Sequence, residues 1–254
     1  MKILVIGDGC KDVFIYGDIT RLSPEAPAPV FNPLRKVEND GMAKNVSNNV
    51  EALDSTVYTI TNKNDIRKIR YVDHKSNQLV LRVDEHDYCD RIDEVLLSTI
   101  QENKCHIAMA GKTEVDAIII SDYDKGFLHE DDIEAICYQN SNVFLDTKKK
   151  LGDWARFADY LKINSMEYEQ NKDFFENNEI INKTIITKGN EGCLFQDKIY
   201  PTEDVPVKDI SGAGDTFLAG LAAEYVRSND IIKAINFAQK CTKIVVQKHG
   251  VSTI

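Results

Sequence analysis

The 254-residue sequence lacks the features that mark several protein classes. No apolar run approaches the roughly 18 residues of a membrane helix, and the N-terminal stretch MKILVIGDG has no signal-peptide cleavage site. An excess of positive charge is also missing, because the formal net charge is −10 at pH 7. Such a charge argues against nucleic-acid or anionic-membrane partners. We therefore expect a cytoplasmic protein that binds neither nucleic acid nor membrane.

Cysteine pairs and common phosphate-binding loops are absent as well. The six cysteines are widely separated, with no CxxC pair and no histidine at zinc-finger spacing, so we expect reduced thiols that are at least partly buried. Neither GxxxxGK[ST] nor GxGxxG occurs anywhere in the chain. Any phosphate site must therefore be of another design.

Apolar runs of strand length alternate with helical patterns. The runs are KILVIG (2–7), AIIISD (117–122), VFLD (143–146) and TIIT (184–187). The helical patterns lie near 44–53, 91–101, 130–139 and 215–227. Continuous apolar strands separated by helices are typical of a parallel sheet covered on both faces, so the sequence predicts an α/β sandwich. TKGNEGCLF (187–195) adds antiparallel strands near the end of the sheet.

Two segments interrupt this alternation. Residues 19–33 are rich in proline, and residues 69–85 alternate polar and apolar residues around HKSN, which is typical of a hairpin turn. Together they predict a small β-strand lid, an element that usually covers a ligand. We expect a single domain over 1–254, with lid segments at about 12–35 and 68–85.

The stretch DISGAGDTF (209–217) places Gly212, Ala213 and Gly214 immediately before Asp215 and an apolar helical stripe. The first amides of a helix lack internal partners and the helix dipole is positive there, so this position attracts an anion. In phosphoryl transfer the amides would stabilise the moving phosphate while Asp215 accepts the proton of the attacking hydroxyl. A plain tight turn is the alternative interpretation of so short a motif.

The same stretch resembles the C-terminal signature of the ribokinase-like (PfkB) carbohydrate kinases. RLSPEAPAPV (21–30) is similar to the opening of the heptose-7-phosphate kinase branch of that family. Further elements follow in that branch's order: SDYDKG (121–126), LDTKK (145–149), NSMEYE (164–169), TKGNEG (187–192) and KHGVST (248–253). The resemblance implies a ribokinase-like three-layer α/β/α sandwich with a mainly parallel sheet. It also implies ATP- and Mg²⁺-dependent phosphorylation of D-glycero-D-manno-heptose 7-phosphate at its C1 hydroxyl.

The resemblance further implies roles for individual residues. Asp215 matches the catalytic base, and Gly212, Ala213 and Gly214 match the anion hole. On the nucleotide side, the matched positions are Asn164 and Glu167, which help to position Mg²⁺ through water, then the loop residues Thr187, Lys188 and Gly189, and Lys148 near the ATP phosphates. A solvated surface role is the alternative for Lys148.

On the acceptor side, Asp12 and Asn45 match positions that hydrogen-bond sugar hydroxyls. Arg21 and Lys125 are the candidates for the acceptor's distal phosphate, because a phosphorylated substrate needs a compensating cation. An exposed, solvated role remains open for Lys125.

The chain departs from the family's pattern in two places, both on the acceptor side. Met42 stands where the family has the second of two glycines, and the interval after Asn45 is short. A kinase for another sugar phosphate or nucleoside, or a non-catalytic sugar- or nucleotide-binding regulator, therefore remains an alternative. Exposed strand edges on the lid also suggest a homodimer formed through it.

Overall fold

The computed structural model describes residues 1–101, 105–107, 111–176, 178–248 and 250–254. The strands within them are β1 (Lys2–Gly7), β2 (Gly9–Leu22), β3 (Pro29–Met42), β4 (Thr56–Thr61), β5 (Arg67–Asp73), β6 (Leu79–Glu85), β7 (Cys105–Ile107), β8 (Gly111–Thr113), β9 (Ala117–Asp122), β10 (Val143–Thr147), β11 (Tyr160–Asn164), β12 (Thr184–Thr187), β13 (Cys193–Phe195) and β14 (Lys198–Tyr200). The α-helices are α1 (Ala43–Ala52), α2 (Glu94–Gln101), α3 (Glu130–Gln139), α4 (Ser165–Gln170), α5 (Lys172–Glu176), α6 (Ala213–Ser228) and α7 (Ile231–Val245).

The central sheet has eight strands in the order β14-β13-β12-β11-β10-β9-β1-β4. All neighbours from β12 to β4 pair in parallel, whereas β12–β13 and β13–β14 are antiparallel. The prediction of a mainly parallel sheet with antiparallel strands near one end is therefore confirmed. Each of the four predicted apolar runs forms a strand of this sheet.

Helices cover both faces of the central sheet. In β1, Leu4 and Ile6 face a core shared with α2 and α3, while Ile3 and Val5 face a core shared with α1, α6 and α7. All four side chains are fully buried. Burial on both faces explains why these strands are continuously apolar, and it confirms the predicted α/β sandwich.

A second sheet, the lid, has the strand order β3-β2-β5-β6. It leaves the central sheet directly after β1, and β3 returns to the start of α1. The hairpin predicted around HKSN is present, since β5 and β6 pair antiparallel and Asn77 donates its backbone N–H to the carbonyl of Asp73 over 2.9 Å. The lid strands extend beyond the predicted segments and reach the sheet edge at Gly9 and Met42.

Two helices differ from the sequence prediction. Helix α2 begins at Glu94 instead of near 91, because the Asp93 carboxylate accepts the backbone N–H groups of Val95 and Leu96 over 3.0 and 3.2 Å. Helix α7 was not predicted, although Asp230 caps it in the same way. No described helix is long and apolar enough to cross a membrane.

Five of the six cysteines are buried free thiols, as expected. The side chains of Cys105 and His106 lie outside the described part of the structure.

Candidate active site

Polar residues gather where the parallel strands of the central sheet end. Asp8 follows β1, Tyr123 follows β9, Asp146 lies near the end of β10, and Asn164 ends β11. The carboxyl ends of parallel strands meet at one edge, which is where open α/β sheets bind ligands. The start of α6 lies at the same edge, because Asp215 contacts Tyr123. The lid begins there as well, since β2 starts at Gly9, two residues after the end of β1.

Asp215 lies in the first turn of α6 and is buried. Asn45 donates its side-chain N–H to one carboxylate oxygen over 2.9 Å, and the hydroxyl of Tyr123 donates to the other over 2.7 Å. Burial raises the pKa of Asp215, and these two hydrogen bonds partly oppose that rise. A buried carboxylate with a raised pKa has the properties that a general base needs.

The backbone at the start of α6 is shaped to receive an anion. Gly212 has a left-handed φ of 80°, where glycine carries no steric penalty. The N–H of Ala213 is already engaged with the carbonyl of Ile210 over 3.1 Å. In the described part of the chain, the N–H groups of Gly214 and Asp215 have no acceptor, so they are available to a phosphate. Within the described residues, Gly214 and Asp215 therefore offer free N–H groups to an anion, whereas the N–H of the predicted Ala213 is occupied.

A chain of charges continues from this helix start to α4, and its members Asp146 and Lys162 are buried. The Lys162 ammonium lies 2.6 Å from the Asp146 carboxylate, and Lys148 bridges Asp146 over 3.1 Å to Glu167 over 2.6 Å. Burial alone would raise the pKa of Asp146, but the two lysines outweigh it and hold that pKa below its usual value. The same carboxylates raise the pKa of Lys148 in spite of its burial. Lys148 therefore remains cationic within this chain of charges.

Glycine at 214 is required by this arrangement. A Cβ at Gly214 would lie only 3.0 Å from the ammonium of Lys162. The close approach of that lysine to the helix start places a cation next to the two free amides.

Asn164 and Glu167 form a capping box at the start of α4. The Asn164 side-chain oxygen accepts the N–H of Glu167 over 2.9 Å, and the Glu167 carboxylate accepts the N–H of Asn164 over 2.8 Å. With Lys148 on the other carboxylate oxygen, both Glu167 oxygens already have partners. The residues therefore fit a cation that is held mainly by water and phosphates, as Mg²⁺ commonly is.

A cavity of about 430 Å³ opens beside this charged chain. Its lining includes Asp146, Lys148 and Gly214 from the charged chain and the helix start. Its apolar walls come from Val205, Val207, Ile210, Phe217 and Val246. Such a cavity suits a flat apolar ring with a polyanionic tail.

The predicted nucleotide-loop residues lie differently around this cavity. Thr187 and Gly189 line it. Lys188 is outside the described lining, and its ammonium lies 3.5 Å from the carboxylate of Glu191.

On the opposite side of Asp215, the lid supplies Asp12. Asp12 is buried and forms an ion pair with Arg70, and Asn45 is buried beside Asp215. Lys125 is only 21% exposed and pairs with Asp87 over 2.6 Å, so the alternative of a fully solvated Lys125 does not hold. Arg21 is exposed near the outer end of β2. About nine strand residues separate it from Asp12, which corresponds to roughly 30 Å, so the structure does not bring Arg21 to the site.

Sequence reasoning missed several residues of the site. Tyr123 contacts Asp215 and Asp146 contacts Lys148, both of which were predicted, and Lys162 contacts Asp146 in turn. Asp8 accepts the backbone N–H groups of Tyr123 (2.6 Å), Lys125 (3.3 Å) and Phe127 (3.3 Å) and thereby holds the Tyr123 loop. The available signal was a charged residue inside an apolar strand, such as the lysine in YLKIN.

The element KHGVST reaches the site only in part. Residue 249 lies outside the described residues. The N–H of Gly250 donates to the Asp209 carboxylate over 3.0 Å, and Val251 lies near Gly212.

A sandwich with a lid, a buried carboxylate and an anion-binding helix start define a phosphotransferase with a hydroxyl acceptor. A family model described as "pfkB family carbohydrate kinase" matches residues 54–254. The chain therefore belongs to the PfkB family of carbohydrate kinases, and it is a sugar kinase of that family.

Three similar proteins put this family membership in context. The bifunctional protein HldE of Helicobacter acinonychis is 29% identical over 300 residues, which cover 98% of this chain and 63% of that protein. The chain thus spans less than two thirds of such relatives. A ribokinase from Thermotoga maritima has a TM-score of 0.68 at 16% identity, covering 98% of this chain and 94% of that chain. A ribokinase from Arabidopsis thaliana, complexed with ribose and ATP, has a TM-score of 0.66 at 14% identity, covering 98% and 93%. These likenesses confirm the ribokinase-like fold.

Proposed function

We propose that this protein transfers the γ-phosphate of ATP to the C1 hydroxyl of D-glycero-D-manno-heptose 7-phosphate. The observation that carries the proposal is the position of Asp215. It follows Gly214, which lines the cavity, and it contacts Tyr123, whose ring contacts Lys68 of the lid. The resemblance of the lid opening RLSPEAPAPV to the heptose kinase branch supports the acceptor. The similarity to proteins named HldE supports it as well.

The side chains account for each part of the transfer. The acceptor hydroxyl attacks the γ-phosphorus as Asp215 takes its proton, and the bond from that phosphorus to the β,γ-bridging oxygen breaks to release ADP. The N–H groups of Gly214 and Asp215 and the ammonium of Lys162 would stabilise the charge on the moving phosphoryl group. Asp12 and Asn45 would orient the sugar hydroxyls.

Mg²⁺ belongs to the same proposal. When bound with ATP, the ion supplies charge neutralisation at the phosphates. Glu167 and Asn164 would orient its water ligands. Lys148 would hold the Glu167 carboxylate in place.

A kinase for another sugar phosphate or a nucleoside is the second candidate. It is favoured by one observation, Met42 at the joint between lid and helix, because the acceptor lies under that lid. Membership of a carbohydrate kinase family supports an enzyme over a non-catalytic regulator.

The experiment is ADP release with ATP and Mg²⁺ and a panel of acceptors: heptose 7-phosphate, fructose 6-phosphate, ribose and adenosine. We expect the highest kcat/KM with heptose 7-phosphate, and a product whose new phosphate is found at C1 by ³¹P NMR. A higher kcat/KM with any other member would replace the heptose assignment while leaving the kinase class intact.

A further inference from the structure

The inner face of the lid carries an unusual row of charges. Pairing of β2 with β5 sets Asp12 opposite Lys68, and pairing of β5 with β6 sets Lys68 opposite Asp84 and Arg70 opposite Arg82. Residues that are paired, or two apart on a strand, share a face. Asp12 and Lys68 are buried, so this face looks toward the active site.

Lys68 is the cation of this face that has no carboxylate partner within the described residues. Arg70 pairs with Asp12, Arg82 pairs with Asp84 over 2.7 Å, and among the described residues no carboxylate lies within ion-pair distance of the Lys68 ammonium. The Lys68 ammonium lies over the ring of Tyr123, 4.9 Å from its centroid. A buried ammonium without a counter-ion costs free energy, and burial lowers the pKa of Lys68.

Two further cations act on the same space. Arg82 lies on β6 opposite Arg70, and Lys125 lies in the loop after β9 that also carries Tyr123. Both lie near enough for their charges to disfavour the Lys68 ammonium, a smaller effect than its burial on the Lys68 pKa. Each of these two is already paired, Arg82 with Asp84 and Lys125 with Asp87. The charge of Lys68 is therefore not offset, and the space carries an excess of positive charge.

The space lies beside the reacting centre but on the lid side of it. The hydroxyl of Tyr123 contacts Asp215, while its ring contacts Lys68. Lys68 is thus separated from the catalytic carboxylate by one side chain and lies on the side that would hold the acceptor. An anion here would belong to the acceptor.

We propose that Lys68, flanked by Arg82 and Lys125, binds a phosphate monoester that the acceptor carries away from its reacting hydroxyl. This inference rests on the proposed function, because it assumes that the acceptor lies under the lid. A phosphate monoester carries close to two negative charges at neutral pH and so offsets the unpaired ammonium. Lysine binds such a group as a point charge. Arg21, the other sequence candidate for this role, lies outside the cluster.

The test compares each sugar phosphate with the same sugar lacking its phosphate, in the wild type and in Lys68→Met. The pairs are heptose 7-phosphate and heptose, fructose 6-phosphate and fructose, and ribose 5-phosphate and ribose. We expect the wild type to prefer the phosphorylated member of at least one pair. Lys68→Met should reduce that preference by about 10- to 100-fold, mainly through KM, because one hydrogen bond to a charged group is lost.

Lys75→Met is the matched control. Lys75 lies at the outer turn of the same lid and its side chain is 73% exposed, so its substitution should leave the preference unchanged. Circular dichroism and calorimetric titration with ATP would establish that Lys68→Met is folded. Calorimetric titration with each sugar phosphate gives a second measure, in which Kd should rise by the same factor.

The outcomes distinguish the phosphate subsite at Lys68 from the assignment of heptose 7-phosphate as the acceptor. Preference for a phosphorylated sugar other than heptose, lost in Lys68→Met, would support the subsite and contradict the heptose assignment. Equal losses with phosphorylated and unphosphorylated sugars would show that Lys68 acts on the transfer itself and would overturn the subsite. Absence of any preference, in turnover and in binding, across all three pairs would overturn it as well.

Discussion

The chemistry of Asp215 depends on two neighbours from distant parts of the chain. Asn45 comes from α1 and Tyr123 from the loop after β9, and each donates one hydrogen bond to the carboxylate. Both bonds stabilise the charged form, whereas burial favours the neutral form. The balance decides how much of the base is ready to accept a proton at a given pH.

Tyr123→Phe removes one donor and leaves the ring. Because the lost bond lowers the pKa of Asp215, that pKa should rise in the variant, and the acid side of the profile of kcat/KM against pH should move to higher pH. Turnover at neutral pH should fall by about 10- to 100-fold. The burial of Tyr123 raises its own pKa well above the usual value, so in the wild type it donates throughout the working range.

The control for this prediction is Tyr138→Phe, because Tyr138 is 72% exposed on α3. It should leave the profile unchanged. A Tyr123→Phe enzyme with the wild-type profile would mean that Asp215 does not titrate in the rate-limiting step.

Gly212 is the second residue on which the site depends. Alanine there would be strained by the φ of 80°, and its Cβ would lie 2.7 Å from the side-chain nitrogen of Asn45. Gly212→Ala should therefore lose stability by roughly 1–2 kcal/mol and also lose most of its turnover, since Asn45 must move away from Asp215.

Gly250→Ala separates these two effects. Gly250 has a similar φ of 72°, but its nearest neighbouring atom lies at 3.7 Å, an ordinary contact. Urea unfolding should show a comparable loss of stability, while kcat should stay near the wild-type value. Equal losses of kcat in both variants would contradict the role given to Gly212.

The residues of the site differ in how far the sequence predicted them. Asp215 and its glycines form a local motif, so their proximity follows from the chain itself. Tyr123 follows β9, Lys162 lies in β11 and Lys68 lies in β5, so only the pairing of distant strands brings them together. Their approach to Asp215 could not be predicted from spacing along the chain.

At the scale of elements, the joint between β3 and α1 is unusual. Met42 caps α1 with φ 58° and ψ −135°, a conformation that favours glycine, and its side chain is buried. Just before it, a Cβ at Gly41 would lie 2.1 Å from an Asp12 carboxylate oxygen. The lid root therefore combines a required glycine with a strained methionine.

At Met42 we expect the glycine variant to be more stable than the alanine variant, which is the reverse of the usual order. Met42→Ala loses the buried side chain and keeps the strain, whereas Met42→Gly loses the side chain and relieves the strain. We expect Met42→Gly to be more stable than Met42→Ala by roughly 1–3 kcal/mol in urea unfolding. At Val46, inside α1, alanine should instead be more stable than glycine by about 1 kcal/mol. If the alanine variant is more stable than the glycine variant at Met42 as well as at Val46, the strain at Met42 is refuted.

Strands could be predicted from the sequence where one hydrophobic pattern dominated the segment. The strands AIIISD and TIIT have continuous apolar centres because both faces of the sheet are covered. In contrast, β4 alternates polar residues at the sheet edge, and β11 contains Lys162, which the Asp146 carboxylate neutralises. These strands were missed because tertiary contacts compensate for their polar residues.

At the scale of the whole molecule, the lid carries a group of exposed apolar side chains. Leu22, Leu34, Leu79 and Leu81 are each more than half exposed. The outer strands of the lid, β3 and β6, also have unpaired edges within the described structure. We propose that two copies of the chain associate through their lids.

Sedimentation equilibrium tests this proposal. The wild type should sediment as a dimer and Leu34→Lys as a monomer with an unchanged circular dichroism spectrum, because the substitution places a charge in the interface. Val95→Lys, at an apolar position on α2 that is also more than half exposed, should remain dimeric. A monomeric wild type, or a dimeric Leu34→Lys, would rule out association through the lid.

The central claim is that Asp215 is the base of an acceptor-dependent phosphoryl transfer. The most direct measurement is ADP release by Asp215→Asn and by the wild type, with ATP, Mg²⁺ and heptose 7-phosphate, together with calorimetric titration of ATP into both. The account predicts that the variant binds ATP as the wild type does but loses roughly 10²- to 10⁴-fold in kcat. A variant that binds ATP and retains wild-type turnover would contradict it.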